Sequence, residues 1–234
     1  MSCHQEIQNR IEQIQIEIEK HAAIFGHRPE DVTLVAVTKT VEEERIREAI
    51  SCGIRNVGEN RVQELNRKRD AFIGADIHMI GRLQKNKVRQ LTEGIALIQS
   101  IDSIDLLKEM ERIGERDHCH FTGLVEINIA GELQKGGVAP ENLKELLDYA
   151  EDLKRVHLRG LMTVAPNLKD SEETRPYFIK MRKIFENIGS MRYNNTQMNI
   201  LSMGMSHDYQ VALEEGANMV RIGSAIFGER TANA

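Results

Sequence analysis

The stretch LVAVTKTV, residues 34–41, decides the fold. Leu34 to Val37 are apolar in both phases of a period-two alternation, the pattern of a strand covered on both faces. Thr38, Lys39 and Thr40 break the run. VEEERIREAISC (41–52) then restores apolar residues at helical spacing, with Thr40 and Glu43 placed as a capping box. A buried strand followed at once by a helix is one step of a parallel βαβ sheet.

The same step recurs in both directions from that stretch. Strands are expected at 33–39, 54–60, 76–81, 95–101, 121–129, 158–165, 199–204 and within 219–228, where a short turn follows. Helices are expected between them at 41–52, 61–72, 84–92, 103–117, 140–153, 172–187 and 208–215. A further amphipathic helix over 3–25 precedes them, with Ile7, Ile11, Ile14 and Ile18 on one stripe that Phe25 extends. Eight strand–helix units predict an α/β chain, a single-domain (β/α)₈ TIM barrel over 1–234 with an extra N-terminal helix. An open doubly wound sheet has the same element order and stands as the alternative.

Bulk properties narrow the function. The chain has 234 residues, 41% hydrophobic and 29% charged, so it folds around a core. The net charge of −5 opposes broad nucleic-acid binding. Cys3, Cys52 and Cys119 are isolated, which fits a reducing compartment better than a disulfide framework. No apolar run reaches membrane-spanning length, and MSCHQEIQNRIEQ lacks a signal-peptide core, so a cytoplasmic location is expected, with no membrane partner.

A barrel gathers its chemistry at the C-terminal ends of its strands. Lys39 stands after the first strand, Asn60 after the second and Arg82 after the third, with His78 within the third. Thr163, Ser202, Ser206, Arg221, Gly223 and Ser224 belong to the last three strand ends. A strand-end lysine ordinarily packs its stem and keeps its head in water. In a partly apolar mouth the same amine loses charge and can attack an aldehyde. RIGSAIFG (221–228) and LSMGMS (201–206) both read as glycine turns with a capping serine; on neighbouring strand ends they also make a phosphate cup. The charged run GRLQKNKVRQ (81–90) reads as a solvated helix face or the positive rim of an anion site. HCH (118–120) gathers no further ligands, so no metal is expected. On these residues alone, a lysine-imine aldolase and an interaction scaffold both remain open.

The segments LVAVTKT, VGENRVQEL, HMIGRLQKNK, INIAGELQKGGV, LRGLMTVAP, LSMGMSHDYQVAL and MVRIGSAIFGER together resemble the YggS/PROSC family of pyridoxal phosphate-binding proteins. That family is similar to the N-terminal barrel of alanine racemase, the fold-type III group. The resemblance implies pyridoxal 5′-phosphate as cofactor, held as a Schiff base on Lys39. Ser202 or Ser206, with Gly223 and Ser224, would hold the phosphate. Arg221 would face the ring nitrogen or phosphate, and Asn60 and His78 would line the pocket. Thr38, Arg82 and Gly136 depart from the residues commonest there. The racemases use a tyrosine from a second domain as their other base. The chain ends soon after Gly228, and Tyr149, Tyr177, Tyr193 and Tyr209 fall in or beside helices. The expectation is therefore a non-enzymatic regulator of intracellular pyridoxal phosphate, monomeric, handing cofactor to apo-enzymes. A weak amino-acid racemase is the alternative.

Overall fold

β1 (Thr33–Val37) decides between barrel and open sheet by pairing on both sides. In this computed structural model, which describes residues 3–132 and 136–228, Val35 to Val37 pair with Asn56 to Gly58 of β2 (Asn56–Glu59). On its other edge Thr33 to Ala36 pair with Met219 to Ile222, the whole of β8 (Met219–Ile222). Between them run β3 (Asp76–Met79), β4 (Leu97–Ile101), β5 (Phe121–Ile127), β6 (Val156–Thr163) and β7 (Thr196–Met205). All are parallel and in sequence order around a closed barrel, so no strand edge is left open. The open-sheet alternative is excluded.

The helices fill the connections. They are α1 (Cys3–Phe25), α2 (Glu43–Ser51), α3 (Val62–Arg67), α4 (Ile104–Asp117), α5 (Leu143–Ala150), α6 (Arg175–Gly189), α7 (Tyr209–Glu214) and α8 (Ser224–Phe227). Ile7, Ile11, Ile14, Ile18 and Ala22 bury one face of α1 against α2, α7 and α8. Each buried Ile contributes roughly 1.5–3 kcal/mol. Phe25 sits at the rim of that stripe, still partly exposed, under the Arg182 guanidinium. Arg10 of α1 and Arg45 of α2 donate to the carbonyls of Ile226 and Phe227, which ties the short α8 to the helical layer.

Several local expectations change; the helices expected over 140–153 and 172–187, for instance, each open with a 3₁₀ turn, Pro140–Asn142 and Ser171–Thr174. The helix expected over 61–72 is α3 followed by a 3₁₀ turn at Arg69–Phe72, and the one expected over 84–92 is a 3₁₀ segment, Lys85–Gln90. In both, short i→i+3 bonds replace the α ladder, as in Ala71 N–H to Lys68 O and Leu91 N–H to Val88 O. Thr40 does not cap α2. Glu42 occupies the cap position, and the Thr40 hydroxyl turns back to the Lys39 carbonyl at 2.6 Å. Residues 133–135 of INIAGELQKGGV and 229–230 of MVRIGSAIFGER lie outside the described residues.

Inside the barrel Val35, Leu97, Leu124, Met162 and Met219 form an apolar plug. Alternate residues of a strand share a face, so the positions two steps further along β4 and β8, Gln99 and Arg221, rise above that plug. The interior turns polar as it approaches the mouth.

Candidate functional site

Closure of the barrel sets the exits of β7, β8, β1 and β2 side by side. Gly223 follows β8 directly, and a Cβ on it would stand 3.4 Å from the Val37 side chain and carbonyl. Lys39, two residues beyond Val37 and half-buried, therefore shares the mouth with Gly223. Ser206 follows β7. Its Oγ accepts the N–H of Gly223 at 3.0 Å and of Ala225 at 3.4 Å, with the exposed Ser224 between them. Gly204 makes the approach to Ser206 possible: its φ is +92°, and a Cβ there would fall 2.6 Å from Ala212 Cβ.

Arg221 lies beneath this cup and is 3% exposed. Its guanidinium donates to Ser202 Oγ at 2.6 Å and to the Thr163 carbonyl at 2.7 Å. Burial pushes Arg221 down to about 10, against the pull of Glu126 and Asp208, so it stays charged at neutral pH. Ser202 accepts from Arg221, so its own hydrogen goes to Gln99 Oε1 at 2.7 Å. That fixes the amide: Gln99 Nε2 faces His78 Nδ1 at 2.9 Å, which accepts, leaving the ring proton on Nε2.

Of the residues singled out in the sequence, Lys39, Ser206, Gly223 and Ser224 come together on three adjacent strand ends. Ser202 and His78 are buried in the barrel interior, joined through Gln99 below Arg221. Asn60 stands half-buried at the β2 exit. Gly81, at the β3 exit, is held to glycine by the Asn60 backbone: a Cβ would come within 2.3 Å of the Asn60 carbonyl oxygen. From Asn60 an open groove of about 1600 Å³ runs across the exits of β3 to β5, past Arg82 and Asp102. Glu126 also faces the mouth, its carboxyl raised by burial and by Asp102. Gln99 and Glu126 escaped the sequence reading, although Gln99 is the polar residue in the inward phase of IALIQSI. Among the described residues no group of three or more His, Cys, Asp or Glu could hold a metal ion. Nor is any helix of those residues long and apolar enough to cross a membrane.

His78 gives the site a pH signature. Burial lowers its imidazole from 6.5 to about 4. Between those values the unfolded chain binds a proton that the folded one refuses, so stability falls as pH drops from 6.5 towards 4. The loss is of order 3 kcal/mol. Urea unfolding of wild type and His78→Asn across that range should show this component in the wild type alone.

The family model described as "Alanine racemase, N-terminal domain" matches residues 12–231. A relative named pyridoxal phosphate homeostasis protein, from Aquifex aeolicus (strain VF5), is 43% identical over 223 residues, 94% of this chain and 97% of that one. The chain belongs to the YggS/PROSC family. Another relative of the same name, from Escherichia coli (strain K12), is 35% identical over 231 residues, 96% of this chain and 97% of that one. Among solved structures, PipY of Synechococcus elongatus PCC7942 with PLP bound is 31% identical, with a TM-score of 0.82 over 95% of this chain and 100% of that one. Alanine racemase from Corynebacterium glutamicum, 14% identical with a TM-score of 0.72, covers 99% of this chain and 64% of its own; it shares the barrel fold.

Proposed function

We propose that this chain binds pyridoxal 5′-phosphate at Lys39 and serves intracellular homeostasis of that cofactor as a cytoplasmic, monomeric reservoir. The observation that carries the reading is the convergence of Lys39 with the Ser206–Gly223–Ala225 cup at one mouth. Lys39 would hold the cofactor through its amine, and the cofactor would supply the aldehyde that this amine meets. The cup fits the phosphate. Ser206 already accepts two backbone N–H groups, so its hydroxyl hydrogen is available to an anion, and the backbone N–H groups add positive potential. Ser224 offers an exposed hydroxyl at the cup's edge, and Asn60 lines the opposite lip.

Arg221 fits the ring side. A guanidinium donates and does not accept, so a ring nitrogen facing it stays unprotonated and withdraws electrons weakly. Ser202, Gln99 and His78 hold Arg221 from below rather than touching phosphate. This environment suits storage better than carbanion chemistry. Racemisation also needs a second base on the opposite face. Tyr149, Tyr177 and Tyr193 pack from outside against the core, and the Tyr193 hydroxyl donates to Asp148. Tyr209 is raised by burial and by Glu17 of α1, away from the mouth. Apo-enzymes would receive the cofactor by exchange of their own amine for that of Lys39.

Titration with pyridoxal phosphate tests the assignment. Ser206→Ala should weaken binding about tenfold through the lost phosphate contact. Ser202→Ala should instead cost about 1–3 kcal/mol of stability, by leaving one buried Arg221 N–H and Gln99 Oε1 without their Ser202 partner. Unchanged affinity in Ser206→Ala would move the phosphate elsewhere. In polarimetry the loaded protein should leave the rotation of single amino acids flat, and steady loss of rotation would establish catalysis.

A further inference from the structure

The backbone that carries Lys39 is fixed by charged residues which no step of cofactor binding uses. Lys68, just past the end of α3, is 1% exposed. Its ammonium donates to the Thr38 carbonyl at 2.8 Å, to Glu59 Oε1 at 2.9 Å and to Glu64 Oε1 at 2.7 Å. Three N–H donors meet three acceptors, so none is left over. The two carboxylates then reach the residues on either side of Lys39. Glu59 Oε1 accepts the Thr38 hydroxyl at 2.8 Å, and Glu64 Oε1 accepts the Thr40 N–H at 2.8 Å.

Thr40 shows that this grip is strong. Its φ is +62°, in the left-handed region, which strains a β-branched residue. Such strain persists only where the surroundings over-determine it. Here Glu64 holds the Thr40 amide, and the Thr40 hydroxyl closes onto the Lys39 carbonyl. A relaxed Thr40 would rotate the adjoining peptide and carry the Lys39 backbone with it. Burial pushes the Glu64 carboxyl up, but the Lys68 and Thr40 donors outweigh it and hold the group below its ordinary value. It therefore remains a charged acceptor at neutral pH.

We infer that Glu64, Glu59 and Lys68 are positioning residues that lock Thr38 and Thr40 so that Lys39 meets the cofactor aldehyde. The inference rests on the proposed binding of pyridoxal phosphate at Lys39. Glu64 is the member best suited to a test, because it is partly exposed and its removal leaves Lys68 paired with Glu59. Two ligands separate positioning from general damage: pyridoxal phosphate, and pyridoxine 5′-phosphate, which keeps the ring and phosphate but carries an alcohol in place of the aldehyde. Glu64→Ala should bind pyridoxal phosphate about tenfold more weakly, with slower borohydride trapping at Lys39, yet bind pyridoxine phosphate within about twofold of wild type. Glu64→Gln keeps an oxygen for the Thr40 amide and should restore most of the difference. Equal weakening of both ligands in Glu64→Ala, or no change in affinity and trapping, overturns the inference while leaving the cofactor assignment intact. A wild-type protein that traps no cofactor overturns both.

Discussion

Lys39→Ala is expected to abolish the visible absorption band that the wild-type protein develops with pyridoxal phosphate, and to leave no cofactor attached after borohydride. The effect is total because the covalent link needs an amine at that position, and the Ser206 cup can supply only phosphate contacts. The variant should still bind pyridoxine 5′-phosphate, since Ser206, Gly223 and Ala225 are untouched. Absorption spectra and peptide mapping after reduction check both halves. Lys68 is the nearest competitor in sequence among buried lysines, but its ammonium already makes three hydrogen bonds. Cofactor trapped on any lysine of Lys39→Ala would overturn the assignment.

Lys68→Met is expected to give the largest loss of stability, about 3–5 kcal/mol, which is the usual result of stripping one partner from a buried ion pair. Methionine matches the length of the lysine stem, so little of the loss is packing. Glu59 is fully buried; burial already raises its carboxyl from 4.5, against the pull of Lys68 and Thr38. Without Lys68 that rise grows. The folded variant would then hold a proton that the unfolded chain gives up above 4.5, so its stability falls as pH increases. The gap to wild type should be smallest below pH 4.5 and widen towards neutrality. Adding Glu59→Gln removes the stranded charge and should recover part of the loss. Chemical unfolding at several pH values measures all three proteins, and a pH-independent gap would mean that Glu59 does not carry it.

The strand–helix alternation was legible because each strand has its own covered apolar run, such as Leu34 to Val37 or Ile98 with Ile101. Closure was not: it rests on the pairing of residues 33–36 with 219–222, which no local pattern reports. The 3₁₀ segments were hidden for a related reason, since Leu83, Val88 and Leu91 fit an α stripe and a tighter turn about equally well. Thr40 reads as a cap from its neighbours, and the Glu64 carboxylate that holds its N–H comes from α3, more than twenty residues on. Lys68 sits between Arg67 and Arg69 and looks like a solvated run. Helical phase was the available clue, because Lys68 follows the buried Val62 and Leu65 on the same face. The two serines differ by strand length. β7 continues through Met205, which leaves Ser202 in the wall and makes Ser206 the first residue out of it.

Attachment of the cofactor at Lys39 is tested by borohydride reduction of the wild-type protein saturated with pyridoxal phosphate, followed by peptide mapping. The expected result is loss of the visible band and a single labelled peptide, with the label on Lys39. A protein that develops no band, or a label spread over surface lysines with Lys39 unmodified, would contradict it.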